Sequence, residues 1–120
     1  MAVTTHKGSC HCGAVRYTVE LDADAPSINC NCSMCGRSGS LLQFVSPDKF
    51  KLEQGQDHLT DYQFNKHVVH HTFCKTCGIK PFANGQGPKG PMVAINLRTL
   101  EDVDPFSLQS VATQFDGKAR

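Results

Sequence analysis

The seven cysteines of this chain fall into three tight clusters, and that arrangement limits the possible folds more than any other feature of the sequence. The clusters are Cys10-x-Cys12, Cys30-x-Cys32-x-x-Cys35 and Cys74-x-x-Cys77, and no cysteine lies outside them. Thiolates this close in sequence can bind one tetrahedral cation, and zinc is the usual cation of all-sulfur sites. The clusters therefore predict metal sites around which the chain folds.

The spacing favours a division of the cysteines into a set of four and a set of three. In Cys74-x-x-Cys77-Gly78 the glycine permits a backbone turn that leaves amide N–H groups free to bond the thiolate sulfurs. Cys10 and Cys12 are two residues apart, so in a strand both side chains would face the same ion. Pairing them with the later cysteines would close a long loop. This pairing predicts a sealed, structural zinc.

The remaining cysteines, Cys30, Cys32 and Cys35, are close enough to bind a second ion as a local unit. Zinc with three protein ligands keeps one coordination position open, as catalytic zinc does. Because zinc deprotonates a bound thiol, this position suits a substrate thiolate held beside a carbonyl carbon. Arg37 follows two residues after the last of these cysteines, and we predict that it balances the charge of the site or binds a carboxylate of the ligand.

Other interpretations of these residues stay open. Incidental or disulfide-forming cysteines are disfavoured by the odd count and by the clustering. A second alternative has two purely structural zincs, with a histidine completing the set of three. The candidate histidines are His11, His58, His67, His70 and His71. Two of these are neighbours in a predicted strand, so at most one of the pair points inward. Arg37 could equally be a solvated turn residue.

Length and charge set the broad class of protein. A chain of 120 residues fits one domain, taken as residues 1–120. The net charge of +1 gives no reason to expect binding to nucleic acid or membrane. The first ten residues lack the apolar run of a secretory signal. We therefore expect a cytoplasmic protein, since clustered cysteines in a reducing compartment bind metal rather than form disulfides.

The pattern of β-branched and aromatic residues predicts a β-rich domain with little helix. Strands are predicted over residues 14–20, 40–45, 50–53, 59–64, 67–73 and 92–97, with a short extended piece over 26–29. Residues 54–56 are expected to turn a hairpin between two of these strands. Residues 36–39 are predicted to form a turn, and the glycine- and proline-rich residues 85–91 a long loop. The tail from residue 117 is expected to fray.

Three motifs together resemble one known family. They read GSCHCGAV at residues 8–15, CNCSMC at 30–35 and FCKTCG at 73–78. They closely resemble the glutathione-dependent formaldehyde-activating enzyme family, which also contains centromere protein V. The later VAINLR at residues 93–98 and FDG at 115–117 are similar to the family as well. The resemblance spans nearly the whole chain.

The resemblance implies an all-β, Mss4-like fold of twisted antiparallel sheets with zinc-binding hairpins. It implies two zinc ions per chain, divided as the spacing predicts. The structural ion would lie on Cys10, Cys12, Cys74 and Cys77, and the catalytic ion on Cys30, Cys32 and Cys35. The implied activity is that of a carbon–sulfur lyase, or S-(hydroxymethyl)glutathione synthase in the joining direction. The implied partners are a small thiol such as glutathione and an aldehyde such as formaldehyde.

A non-catalytic role remains as the alternative function. The domain could bind thiols without turnover, or serve protein interaction with both zincs holding its shape. Methionine sulfoxide reductases have related folds but need a further nucleophilic cysteine. All seven cysteines here are assigned to metal, which speaks against that activity.

Overall fold

The computed structural model describes residues 3–22, 27–30, 33–63, 69–87, 90–103 and 113–115. The strands in these ranges are β1 (Val3–Ser9), β2 (Arg16–Asp22), β3 (Ile28–Cys30), β4 (Leu41–Val45), β5 (Phe50–Gln54), β6 (Leu59–Tyr62), β7 (His70–Cys74), β8 (Phe82–Gly87), β9 (Gly90–Asn96) and β10 (Thr113–Phe115). The described helices are α1 (Ser33–Ser38) and three single 3₁₀ turns, Pro47–Lys49, Gln56–His58 and Leu97–Thr99. The predicted all-β class with little helix is confirmed. None of these described helices is long and apolar enough to cross a membrane.

The strands form two sheets. The small sheet has the order β1-β2-β5, and the large sheet has the order β10-β3-β4-β9-β8-β7-β6. The pairs are antiparallel except for β10 and β3, which run parallel. Strands β1 and β2 form one hairpin, and β7, β8 and β9 form a meander. The first unit carries Cys10 and Cys12, and the second carries Cys74 and Cys77.

An aromatic cluster joins the two sheets in the core. Tyr17 and Phe50 come from the small sheet, and Phe82 comes from the large one. The ring centroid of Phe50 lies 5.5 Å from that of Tyr17 and 4.6 Å from that of Phe82. The Tyr17 hydroxyl lies 2.7 Å from Thr99 Oγ1, and burial raises the pKa of this tyrosine to about 12. Its ring lies against Gly8 on the paired strand, where an added Cβ would come within 2.2 Å of the ring. A glycine is therefore required at that position.

The predicted hairpin around residues 54–56 is wrong. Strand β5 pairs with β2 of the small sheet, whereas β6 pairs with β7 of the large sheet. Gly55, with φ of 97°, and the 3₁₀ turn Gln56–His58 instead carry the chain from one sheet to the other. A Cβ on Gly55 would lie 2.5 Å from the carbonyl oxygen of Ala14. The glycine thus serves a close crossing of two chain segments rather than a tight hairpin.

Two other local predictions also need correction. The segment 85–91 is largely the β8–β9 hairpin, whose register extends to Gly87 opposite Gly90. Cross-strand pairing there overrides the loop preference of its glycines and prolines, and Gly90 has φ of 114°. The predicted turn 36–39 lies mostly within α1, and only Gly39, with φ of 70°, adopts the left-handed conformation that ends helices.

Strands β1, β8 and β10 were not predicted from the sequence. The strands that were predicted are present, but their ends differ from the predicted ones. Parts of the predicted segments 26–29, 59–64 and 67–73, and the tail from residue 117, lie outside the described residues.

Candidate metal centre and the adjoining cleft

Two loops from different sheets bring four cysteines together. Cys10 and Cys12 lie in the loop between β1 and β2, Cys74 is the last residue of β7, and Cys77 lies in the turn that follows. The four Sγ atoms all lie within 4.8 Å of one another. The Sγ of Cys12 is 3.6 Å from those of Cys10 and Cys74. Tetrahedral zinc with Zn–S bonds of about 2.3 Å separates its sulfurs by about 3.8 Å, so the set fits this ion.

The first pair of cysteines converges through a turn rather than through a strand. Cys10 is buried and Cys12 is exposed, which differs from the same-face placement expected of a strand. The turn is closed by two backbone bonds, from the Gly13 N–H to the Cys10 carbonyl (3.3 Å) and from the Cys10 N–H to the Val15 carbonyl (3.1 Å). The N–H of Val15 also donates to Cys10 Sγ at 3.3 Å. The loop therefore directs both sulfurs and an amide donor to one point.

The second pair lies in a tight turn closed by glycine. The Gly78 N–H donates to the Cys74 carbonyl at 2.8 Å, and the Cys74 N–H donates to the Ile79 carbonyl at 2.9 Å. Gly78 has φ of 77°, a conformation that residues with a Cβ rarely adopt. This geometry folds the chain back so that the sulfurs of Cys74 and Cys77 face the same point.

Backbone amides favour thiolates within the four-cysteine cluster. A backbone hydrogen bond from Cys77 lowers the pKa of Cys74. Burial alone would raise the pKa of Cys77, but backbone hydrogen bonds from Cys12 and Ile79 bring it down to about 6. At Cys12 the amide of Ala14 lowers the pKa, yet partial desolvation and hydrogen bonds with the neighbouring sulfurs outweigh it and raise the pKa to about 11. Metal binding needs thiolates, and these amides stabilise them.

The cluster spans both sheets. Its first two cysteines follow β1 of the small sheet, and its last two end and follow β7 of the large sheet. Cys10 and Cys74 also belong to the buried core, at 2% and 0% exposure. A metal bound here would tie the two sheets together at the edge of the hydrophobic core.

The predicted set of three is only partly described by the structure. Cys30 is the last residue of β3, and Cys35 lies within α1. Cys32 and the side chains of the other two lie outside the described part of the chain. Arg37 occupies the last turn of α1 and is exposed. The open zinc site and the role of Arg37 therefore stay predictions.

The neighbouring histidines of β7 point to opposite sides of the sheet, as expected. His70 is exposed, and its Nδ1 lies 2.7 Å from a carboxylate oxygen of Asp61. His71 is buried, at 8% exposure, and burial, together with the charge of Lys80, lowers its pKa to about 4. The imidazole of His71 is thus neutral near pH 7. His67 lies outside the described residues.

A cleft of about 170 Å³ lies between α1 and the edge of the large sheet. Its lining residues are Met34, Ser38, Tyr62, His71, Phe73, Gly78 and Lys80. Sequence reasoning missed this cleft, although it considered one of these residues, His71, as a metal ligand. No local pattern could have revealed it, because the lining comes from α1, β6, β7 and the turn after β7.

The fold and the cysteine cluster together define a small all-β protein equipped to hold a metal ion. The chain belongs to the glutathione-dependent formaldehyde-activating enzyme family, whose family model matches residues 5–116. It is also similar to a Rhodobacter sphaeroides protein whose crystal structure was solved as a structural-genomics target. The two chains are 35% identical, with a TM-score of 0.80, and the similarity covers 91% of this chain and 99% of the other.

Proposed function

We propose that the protein is a zinc-dependent carbon–sulfur lyase acting on adducts of a small thiol with formaldehyde or a related aldehyde. Glutathione is the first candidate for the thiol, and the joining reaction would then be that of an S-(hydroxymethyl)glutathione synthase. The observation that carries this proposal is the family match over residues 5–116. The four-cysteine cluster supports the metal dependence.

Two zinc ions per chain would have different roles. Cys10, Cys12, Cys74 and Cys77 would hold the structural ion, since their sulfurs are spaced for a tetrahedral site with no open position. Cys30, Cys32 and Cys35 would hold the second ion, as their spacing of two and three residues suggests. That ion would supply a site at which a thiol loses its proton and is held as thiolate.

The reaction makes or breaks one C–S bond, and the carbonyl π bond and one O–H bond change with it. In the joining direction the thiolate sulfur donates an electron pair to the carbonyl carbon, and the carbon–oxygen π pair moves to oxygen, which takes up a proton. In the lyase direction the hydroxyl proton leaves, the carbonyl re-forms, and the sulfur keeps the electron pair of the broken C–S bond. Arg37, exposed at the end of α1, would bind a carboxylate of the thiol and so orient its sulfur.

The proposal predicts that zinc-loaded protein accelerates exchange between glutathione and formaldehyde. Exchange spectroscopy with ¹³C-formaldehyde measures the rate directly, at a mildly acidic pH where the spontaneous addition is slow. We expect at least a tenfold increase over the same concentrations of glutathione and free zinc. Titration of the protein with glutathione and S-methylglutathione serves as the binding control, because a thioether supplies no thiolate. Tight glutathione binding without faster exchange would contradict the lyase and favour the thiol-binding module.

The same exchange assay tests the role of Arg37. Arg37→Ala should raise the apparent KM for glutathione about tenfold, because a charge-assisted bond to a carboxylate is lost. The KM for 2-mercaptoethanol, which has no carboxylate, should change less than about twofold. Arg98→Ala is the matched control, since Arg98 is also exposed but lies on a different element, the 3₁₀ turn Leu97–Thr99. An equal rise in KM for both thiols would show that Arg37 does not bind the carboxylate.

A further inference from the structure

The cleft described above lies beside the segment that carries the set of three cysteines. Met34 and Ser38 form one wall from α1, the short helix that contains Cys35. They are four residues apart and so lie on the same helix face. The lining also includes Gly78, which directly follows the last cysteine of the four-cysteine cluster. The cleft therefore borders both the helix that carries Cys35 and the turn that carries Cys77.

The large sheet supplies the other wall. Tyr62 and His71 are direct cross-strand partners on β6 and β7, and Phe73 is two residues beyond His71, so all three side chains share one sheet face. Tyr62 is 48% exposed although it is a large aromatic residue, and it stands on the edge strand of its sheet. An aromatic side chain in this position offers contact area to whatever enters the cleft.

The volume of the cleft, about 170 Å³, indicates the size of the group that it could hold. An apolar protein cavity of about 150 Å³ holds one benzene molecule. Formaldehyde, with one carbon and one oxygen, would leave most of this space unfilled. A substituent as large as an aromatic ring would fill it.

The character of the lining favours an uncharged, aromatic occupant. Two aromatic rings, Tyr62 and Phe73, and the thioether of Met34 dominate the walls, and sulfur and ring edges both make favourable contacts with an aromatic guest. His71 is neutral near pH 7, so it adds no charge to the buried side of the cleft. Among the lining residues that the structure describes, Lys80 carries a positive charge and none carries a carboxylate. The lining therefore gives no reason to expect a cationic ligand.

We propose that this cleft is the subsite for the aldehyde-derived part of the thiol adduct, and that it takes an aromatic group about the size of a benzene ring. The inference rests on the proposed lyase function, because it assigns the cleft to that reaction. It names the substrate class as adducts of a small thiol with an aryl aldehyde. Formaldehyde adducts would react at the same sulfur position without using the cleft.

Binding to the cleft can be measured without any turnover. The chain has three methionines, Met1, Met34 and Met92, so ¹³C-methyl labelling gives few signals to follow. Benzyl alcohol, an unreactive relative of benzaldehyde, is the probe. We expect saturable movement of the Met34 methyl signal, with the other two unchanged. No response of Met34 up to the solubility limit of the probe would overturn the assignment of the cleft.

A matched pair of variants separates the cleft from general surface binding. Tyr62→Ala removes an aromatic wall of the cleft, whereas Phe44→Ala removes an aromatic residue of similar exposure, 44% against 48%, that does not line it. We expect the Kd of benzyl alcohol to rise about tenfold in Tyr62→Ala, since a ring contact is lost. The change in Phe44→Ala should stay below about twofold. Equal weakening in both variants would overturn the proposal.

The exchange assay then assigns the occupant. In Tyr62→Ala, kcat/KM for the benzaldehyde adduct of glutathione should fall about tenfold, while that for the formaldehyde adduct changes less than about twofold. Equal losses for the two adducts would overturn the aryl-group assignment. The two proposals fail in different ways. A silent Met34 signal in a protein that turns over formaldehyde adducts overturns the cleft alone. A responsive Met34 signal in a protein that accelerates neither adduct overturns the lyase function, and the aldehyde assignment with it.

Discussion

Replacing Cys74 with serine is expected to destabilise the folded protein by about 3 kcal/mol or more, and at 37 °C to leave much of it unfolded. Cys74 is completely buried, and its sulfur lies 3.6 Å from that of Cys12, which lies in the loop between two strands of the other sheet. If this cluster holds zinc as proposed, loss of one ligand removes a link between the sheets and the stabilisation that metal binding would give the fold. Thermal or urea unfolding of zinc-loaded wild type and variant measures the difference.

A matched variant distinguishes metal loss from lost packing. Cys12 is a member of the same cluster but is exposed, so serine there has little packing cost. If zinc binding is the cause, Cys12→Ser should lose a comparable amount of stability. In excess chelator, wild type and Cys12→Ser should then unfold at the same point. A Cys12→Ser protein as stable as zinc-loaded wild type would contradict a structural metal at this cluster.

Cys32→Ser is expected to remove catalysis while leaving the fold intact. The proposed second ion has three protein ligands, all within residues 30–35, and it closes no long loop. Exchange between glutathione and formaldehyde should fall to the uncatalysed rate, and the free energy of unfolding should change by less than about 1 kcal/mol. The exchange assay and a thermal melt on the same sample give both quantities.

Ser33→Ala, in the same segment, is the control for Cys32→Ser and should keep its activity. Destabilisation of Cys32→Ser as large as that of Cys74→Ser would show that both ions are structural. That result would favour the alternative in which a histidine completes the second set.

The four cysteines of the cluster could be predicted from the sequence because each pair is only two or three residues apart. The turn after β7 needs only Cys74, Cys77 and a glycine at position 78, and the structure shows the positive φ at that glycine. The convergence of this turn with Cys10 and Cys12 followed from counting ligands. How the first pair converges did not follow, because a turn and a strand can both bring sulfurs two residues apart to one ion.

The pairing of the strands could not be predicted from short stretches of sequence, because it depends on contacts between residues that are distant in sequence. The segments flanking residues 54–56 look like the arms of a hairpin, yet each pairs with a different sheet. Glycines and prolines at 85–91 indicate a loop in isolation, whereas the register between β8 and β9 keeps most of them in strands. In both cases cross-strand contacts outweigh the local conformational preference.

The cleft could not be predicted for the same reason. Tyr62 and Phe73 look like ordinary strand residues, and Met34 like a spacer within a cysteine motif. They meet only because α1 lies against the edge of the large sheet. The cysteine motifs could be recognised in the sequence, whereas the shape of the cleft depends on how the sheets and α1 assemble.

The most direct test of two unlike zinc sites is the zinc content per chain before and after a mild chelator. The protein is first saturated with zinc and freed of excess, and bound zinc is then counted as chelator concentration rises. The account predicts two ions per chain at the start and a stable plateau at one, because a chelator can enter an open coordination position but not a sealed one. Release of both ions at the same chelator concentration, or a starting content of one, would contradict it.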